Sequence, residues 1–504
     1  MAITKFHGKQ PRGLLSTPGS LSFEGRFGRM FRTLPAAVHT EDELKALGEA
    51  MISEAEKEAT PEGKIDEEEN QGIDAGYTYF GQFIDHDLTF DPASSLQKQN
   101  DPNGLQNFRT PRFDLDNVYG RGPDDAAFMY EKDEMHMLLG RSLTGNPNDE
   151  NTRDLARNTT PEDAKRAIIG DPRNDENVIV SQLQVGFIRF HNRMVNIMKA
   201  KDPKVTFAQV QQMVRWHYQW VVLRDFLPII VGNDMVKKVL PHLYSTKTIN
   251  EEKPVLDFYE WKKNPFMPVE FSVAAYRFGH SMVRPIYRLN TTLTDRQPIF
   301  DIENESKSLV GFRELPSDWA VDWDLFFFNP RKADNTGKNR TQKSYKIDTA
   351  LVFPLGNLPK ARGIKSLAIR NLLRGLSMGL PSGQAVARYM QEEVIADKHL
   401  KIGKATVEDT PSNKLLTSIS PNFADNAPLW YYILAEAQQM YKSTHITLGP
   451  VGGRIVTEVF AGLLLGDKHS FLSLNPAWEP LEEMGGKDFK MIDLLHQASK
   501  DKDT

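Results

Sequence analysis

The sequence predicts a mainly α fold with long loops and little strand. Apolar residues recur at helical spacing through much of the chain, and strand-like alternation is scarce. The stretches between the periodic segments are long and rich in Pro, Asn, Asp and Gly, and connections of that length usually carry function.

The elements follow in order. Residues 1–35, rich in Gly, Pro and Arg, read as an irregular arm, and 41–58 as an amphipathic helix ending in a charged, solvated loop. The aromatic stretch IDAGYTYFGQFIDHDLTF (73–90) is helical in pattern. Residues 91–116 and 141–172 are polar loops. Helices are predicted over 176–199, 206–232 and 268–283, the last stopped by Pro285. Turn signals fill 290–348, and helices return at 364–378, 382–396, 428–441 and 451–465. The glycine-rich LGPVGGR (448–454) lacks the Lys-Ser/Thr of a phosphate loop and reads as a helix entry.

Composition narrows the chemistry. The 504 residues carry a formal net charge of −5, which speaks against a general nucleic-acid binder. There is no cysteine, so disulfides, iron–sulfur clusters, thiolate-ligated haem and thiol nucleophiles are excluded. No apolar run is long enough for a signal peptide or a bilayer span, and the chain reads as soluble and cytoplasmic, with signal-less export left open.

Four segments carry residues suited to chemistry. In Gly81-Gln82-Phe83-Ile84-Asp85-His86-Asp87, Gln82 and His86 share a helix face and two aspartates flank the histidine. In Thr110-Pro-Arg112-Phe-Asp114-Leu-Asp116, oxygen-bearing side chains recur as a calcium ion would need them. In Gly170-Asp-Pro-Arg173-Asn-Asp-Glu176-Asn177, Arg173 and Glu176 can face one cavity at a helix start. In Ala275-Tyr-Arg277-Phe-Gly279-His280, the glycine leaves room for something large beside the histidine. Taken singly, each reads as readily as structure: packed core histidines, a turn-rich loop, a helix cap.

Taken together and in order, these segments resemble the peroxidase–cyclooxygenase superfamily of animal haem peroxidases, and the chain looks like a bacterial-type member. GQFIDHDLTF resembles the distal-haem motif, FDLDNVYG the calcium loop, GDPRNDEN the distal arginine segment and YRFGH the proximal motif. LAIRNLLRGLSMGLP resembles the segment with the asparagine behind the proximal histidine, and the resemblance spans roughly 70–465. It implies an N-terminal arm and helix over 1–70, a catalytic domain over 71–470 and a C-terminal tail over 471–504.

The same resemblance implies the roles. His86 would be the distal histidine, with Gln82 hydrogen-bonding in the distal pocket and Arg173 as the distal arginine. His280 would bind the haem iron and Asn371 would accept a hydrogen bond from its other ring nitrogen. Arg277 would meet a haem propionate. Asp87, Thr110, Asp114, Asp116 and the carbonyl of Arg112 would hold calcium. Asp85 and Glu176 stand where haem b can be ester-linked, while Asn177 stands where some members place a sulfonium-forming methionine. The implied reaction reduces hydrogen peroxide and oxidises a small donor such as a halide, thiocyanate or a phenol. A neutral His86 would act as general base and then acid, and Arg173 would stabilise charge on the breaking bond.

Two alternatives stand beside this: a fatty-acid dioxygenase of the same fold, and a non-catalytic haem or calcium protein. The oxygenases use a tyrosine three residues before the proximal histidine, where this chain has Arg277. Tyr276 is one residue off, and on an α-helix it would be turned away by about 100°. His191 reads as a packed helix residue.

Overall fold

The computed structural model describes residues 27–501, apart from 57–59, 61, 91–106, 108, 161–164, 263–264, 302, 360 and 362. The arm expected over 1–35 therefore lies mostly outside the described residues, as does much of the loop at 91–116.

The described residues form a helical body whose strands are short two-stranded ribbons. The helices are α1 (Glu41–Ala50), α2 (Ala75–Leu88), α3 (Asp116–Tyr119), α4 (Val178–Lys201), α5 (Phe207–Val221), α6 (Leu227–Val231), α7 (Asn233–Val239), α8 (Leu367–Ser377), α9 (Gly383–Tyr389), α10 (Leu429–Gln438), α11 (Pro450–Gly466), α12 (Phe471–Leu474) and α13 (Met491–Ala498). Local chemistry fixes the starts. Thr40 and Glu43 close a capping box on α1, as Thr206 and Gln209 do on α5. Asn177 caps α4, Ser366 caps α8, and Pro450 opens α11 where the glycine-rich segment was read as a helix entry.

The centre of the body is α2, α4, α10 and α11. Helix α10 is buried along its whole length and α2 along most of it, α2 carrying its polar residues toward its C-terminal end. Helix α4 packs against α2, α5 and α13. The residues before α2 (Glu69–Asp74) pair antiparallel with Lys343–Tyr345, which anchors the entry of α2.

Several elements differ from expectation. The helix expected over 41–58 ends at Ala50. The one expected over 206–232 contains a π segment, Val222–Phe226, before α6, and that expected over 382–396 stops at Tyr389. The segment expected as one helix over 268–283 is a π turn, Glu270–Ala274, followed by a 3-10 turn, Ala275–His280. Ala274 leaves helical geometry between them, at φ −128 and ψ −74. Buried Glu270 accepts from the backbone N–H of Met30 at 3.0 Å and Phe31 at 3.2 Å, which ties the start of this segment to the N-terminal part of the chain. Helices α7 and α13 were not read from the sequence, although Met491, Leu494 and Leu495 bury the inner face of α13 on α4.

Candidate functional site

Helix α2 presents Gln82, Asp85, His86 and Asp87. His86 is buried, and its Nδ1 lies 2.7 Å from Oδ1 of Asn174, in the 3-10 turn Pro172–Asp175. The Asn174 amide nitrogen donates to Gln184 Oε1 on α4 at 2.8 Å. With its nitrogen so committed, Asn174 turns its oxygen to the imidazole. Nδ1 of His86 then carries the ring proton and Nε2 keeps the lone pair. Burial, helped by Arg173, pushes His86 down to about 3, so the ring is neutral near pH 7.

Nε2 faces Glu176, 3.6 Å from Oε1, and Gln82 Nε2 donates to that same oxygen at 2.5 Å. Glu176 keeps 37% of its side chain accessible, yet its carboxyl is desolvated enough to be pushed up to about 7. Asp85 accepts from Thr89 Oγ1 at 3.0 Å and is raised by burial, against the pull of Arg173 and Arg277.

Arg173 is tied to the end of α2. Its Nη2 donates to the carbonyls of His86 at 3.1 Å and Thr89 at 2.6 Å and to Asp171 at 2.8 Å, and its guanidinium lies over Phe90. It thus caps carbonyls that the helix leaves unpaired, and its charge reaches His86, Asp85 and Glu176.

Across from α2 lies the segment ending in His280. The Tyr276 hydroxyl is 4.0 Å from where a Cβ on Gly81 of α2 would stand. A Cβ added to Gly279 would meet nothing within 4 Å, so open space adjoins His280. His280 Nδ1 is 2.8 Å from the Asn371 amide nitrogen on α8, and burial, then Arg277 and Arg370, push its ring down to about 3. The polarity differs from the expected one, in which Asn371 accepts. Arg277 Nη1 donates to Asn371 Oδ1 at 2.9 Å and claims the oxygen, which leaves the nitrogen for His280. Arg277 Nε also donates to the Ser272 carbonyl at 3.0 Å, inside the kinked segment.

On the far side of α2, Asp87 is fully buried, and among the described residues neither of its carboxylate oxygens has a hydrogen bond of good geometry. Asp87, Asp114 and Asp116 each bring one oxygen within 4.8 Å of the others. Leu115 between them is left-handed, with φ 57, a costly state for a buried leucine that turns its two neighbours toward one centre. Burial and the other two carboxylates hold Asp87 well above the usual carboxylate range. Thr110 Oγ1 donates to Asp114 at 2.6 Å, and the Arg112 side chain lies 3.7 Å from Asp467.

His191 is a packed residue. Its Nε2 donates to the Met135 carbonyl at 2.8 Å and its Nδ1 lies 3.0 Å from the Tyr119 hydroxyl. Asn177 caps α4. Sequence reasoning missed Asn174 and Gln184, which set the His86 tautomer, and Arg370 and Arg374, which add positive charge around Arg277. The last two flank Asn371 in sequence, but their closeness to Arg277 appears only in the fold.

The animal haem peroxidase family model matches residues 92–309. Thyroid peroxidase from Rattus norvegicus is 24% identical over 380 residues, covering 70% of this chain and 37% of that protein. Chorion peroxidase from Aedes aegypti is 29% identical over 148 residues, 28% of this chain and 18% of that protein. This chain is similar to animal haem peroxidases. It spans little more than a third of the thyroid enzyme's length. Among solved structures, peroxidase A from Dictyostelium discoideum superposes with a TM-score of 0.61 at 15% identity, covering 95% of this chain and 94% of that one. A fatty acid alpha-dioxygenase from Oryza sativa superposes at 0.56 and 15% identity, covering 98% and 85%. These likenesses bear out the mainly α, peroxidase-like fold and support the superfamily, and do not bear on the bacterial-type placement. Among the described residues no helix is long and apolar enough to cross a membrane.

Proposed function

We propose that this chain is a haem-dependent peroxidase that reduces hydrogen peroxide and takes electrons from a small donor, a halide, thiocyanate or a phenol. One observation carries the reading. Two neutral imidazoles, His86 buried and His280 half-buried, each with Nδ1 against an asparagine amide, stand on segments that face each other, with Asp85 within electrostatic reach of both sides.

The residues fit a haem. The open space beside Gly279 would leave room for a group next to His280, and the positive charge of Arg277, Arg370 and Arg374 would suit propionates. His280 would bind the iron through Nε2, and bound haem would supply a metal centre that activates peroxide. Ligation leaves the ring proton on Nδ1, which needs an acceptor. Asn371 Oδ1 is the one at hand, and a propionate would relieve Arg277 of its present hold on that oxygen. Asp85 and Glu176 are the carboxyls placed for ester links.

His86 takes a proton at Nε2 and returns it, Asn174 holding the tautomer meanwhile. Gln82 and Glu176 flank the position that proton leaves and re-enters. Arg173 holds the end of α2, and with it His86, and contributes positive charge. Asp87, Asp114 and Asp116 would hold calcium, the orphaned Asp87 oxygens being the sign that a cation belongs there. Calcium would then brace the residue next to His86. The test is turnover of a chromogenic donor with hydrogen peroxide by the haem-loaded protein. Turnover that depends on both His86 and His280 supports the proposal; its absence overturns it.

A second reading, fatty-acid dioxygenation, draws on Tyr276. The kinked segment is not the α-helix on which Tyr276 would turn away, and its buried hydroxyl, without a hydrogen-bond partner, reaches toward α2. Sustained oxygen uptake with long-chain fatty acids, lost in Tyr276→Phe while peroxidase turnover survives, would favour it.

A further inference from the structure

The segment that leaves His280 runs into a strongly basic cleft away from the two histidines. Arg284, Arg288, Arg296, Lys64, Lys338 and Arg340 line it, together with Glu62, around a small space that opens to solvent. The anions present are few and already engaged. Glu69 is shared by Arg284 (2.9 Å) and both terminal nitrogens of Arg340 (2.6 and 2.8 Å). Glu62 is held by Arg288, with one contact at 3.0 Å.

Two donors are left over. Arg284 is 5% exposed, and its Nε–H is buried with no acceptor among the described residues. Arg296 is half-buried and makes no hydrogen bond or ion pair among the described residues. Burial lowers its affinity for its own proton, Glu62 opposes that, and Arg284 and Arg288 beside it add to the lowering. Like charges held this close, with a buried donor unsatisfied, are a standing cost that an anion would remove. Arginine forks suit bidentate oxyanions, and two flanking lysines suit added charge.

We propose that this cleft binds a small, multiply charged oxyanion of the phosphate class, with Arg296, Arg284 and Lys338 as its contacts and Glu62 as the built-in carboxylate it must share Arg288 with. Such a ligand would bear on the candidate site from outside. Glu69 begins the strand that leads into α2, and Arg284 lies four residues after His280, so the cleft joins the entry of one histidine-bearing segment to the exit of the other.

The experiment is calorimetric titration of the full chain with sodium pyrophosphate and, separately, sodium phosphate, at fixed ionic strength against a chloride control. Expected is one saturable site per chain, tighter for pyrophosphate, weakened at least tenfold in Arg296→Gln/Lys338→Gln and strengthened in Glu62→Gln, which removes the competing carboxylate. Pyrophosphate should also raise the melting temperature of the wild type and not of the double variant. If the double variant folds poorly, Glu62→Gln alone decides by the direction of its change. No saturable heat above chloride, or equal binding by wild type and variants, would overturn the proposal.

Discussion

Replacing Asn174 with leucine isolates what the hydrogen bond to His86 contributes. The two side chains are similar in size, so the packing is largely kept while the acceptor 2.7 Å from Nδ1 is lost. Nδ1–H would then be a buried donor without a partner, at a cost of about 1–3 kcal/mol. The ring can escape that cost by moving its proton to Nε2, where Glu176 Oε1 lies 3.6 Å away. An imidazole protonated at Nε2 cannot take the peroxide proton there. The competent tautomer thus falls by the same 1–3 kcal/mol, roughly 5–150-fold in rate. The assay is stopped-flow mixing of haem-loaded protein with hydrogen peroxide, followed at the Soret band. Gln184→Met should give a smaller loss, since it frees the Asn174 amide to turn but leaves the acceptor in place. A folded Asn174→Leu that reacts at the wild-type rate would refute the tautomer argument.

Three further outcomes are expected. Chelation should lower the melting temperature and added calcium restore it, with a stabilisation of about 2.7 kcal/mol at a hundredfold excess over Kd; Asp114→Ala should not respond, and an unresponsive wild type would remove the calcium site. After peroxide exposure, acidified organic solvent should fail to extract haem from the wild type but extract it from Asp85→Asn/Glu176→Gln; full extraction from both would exclude ester links. His191 is held at about 4 by burial, below its ordinary 6.5, so between those values the unfolded chain binds a proton that the folded chain does not. Its contribution is whole above pH 6.5 and falls by up to about 3 kcal/mol toward pH 4; the stability gap to His191→Gln, measured by urea unfolding, should shrink over that range, and a constant gap would contradict this.

Much of the site was legible because its residues cluster in short segments. Gln82, Asp85, His86 and Asp87 fall on one helix, and Arg173 and Glu176 in one turn, so spacing grouped them within each segment, while the resemblance joined the segments into one site. What stayed hidden depends on contacts between segments. Nothing in the sequence near Asn174 says that its amide is fixed by Gln184 and so fixes His86. Nothing near Asn371 says that Arg277 takes its oxygen. The helix at 268–283 was misread because its apolar pattern is sound, whereas the kink at Ala274 arises where Glu270 is anchored far away in sequence. Helix α13 is short, and its apolar face is explained only by α4 beneath it.

The central claim is that His86 moves the peroxide proton over a haem held by His280. The most direct measurement is the second-order rate of hydrogen peroxide reacting with the haem-loaded protein, in the wild type and in His86→Ala, read from the Soret band. Both should carry haem with the same resting spectrum, and the variant should react roughly 10²–10⁴-fold more slowly. Equal rates, or a wild type that does not react, would contradict it.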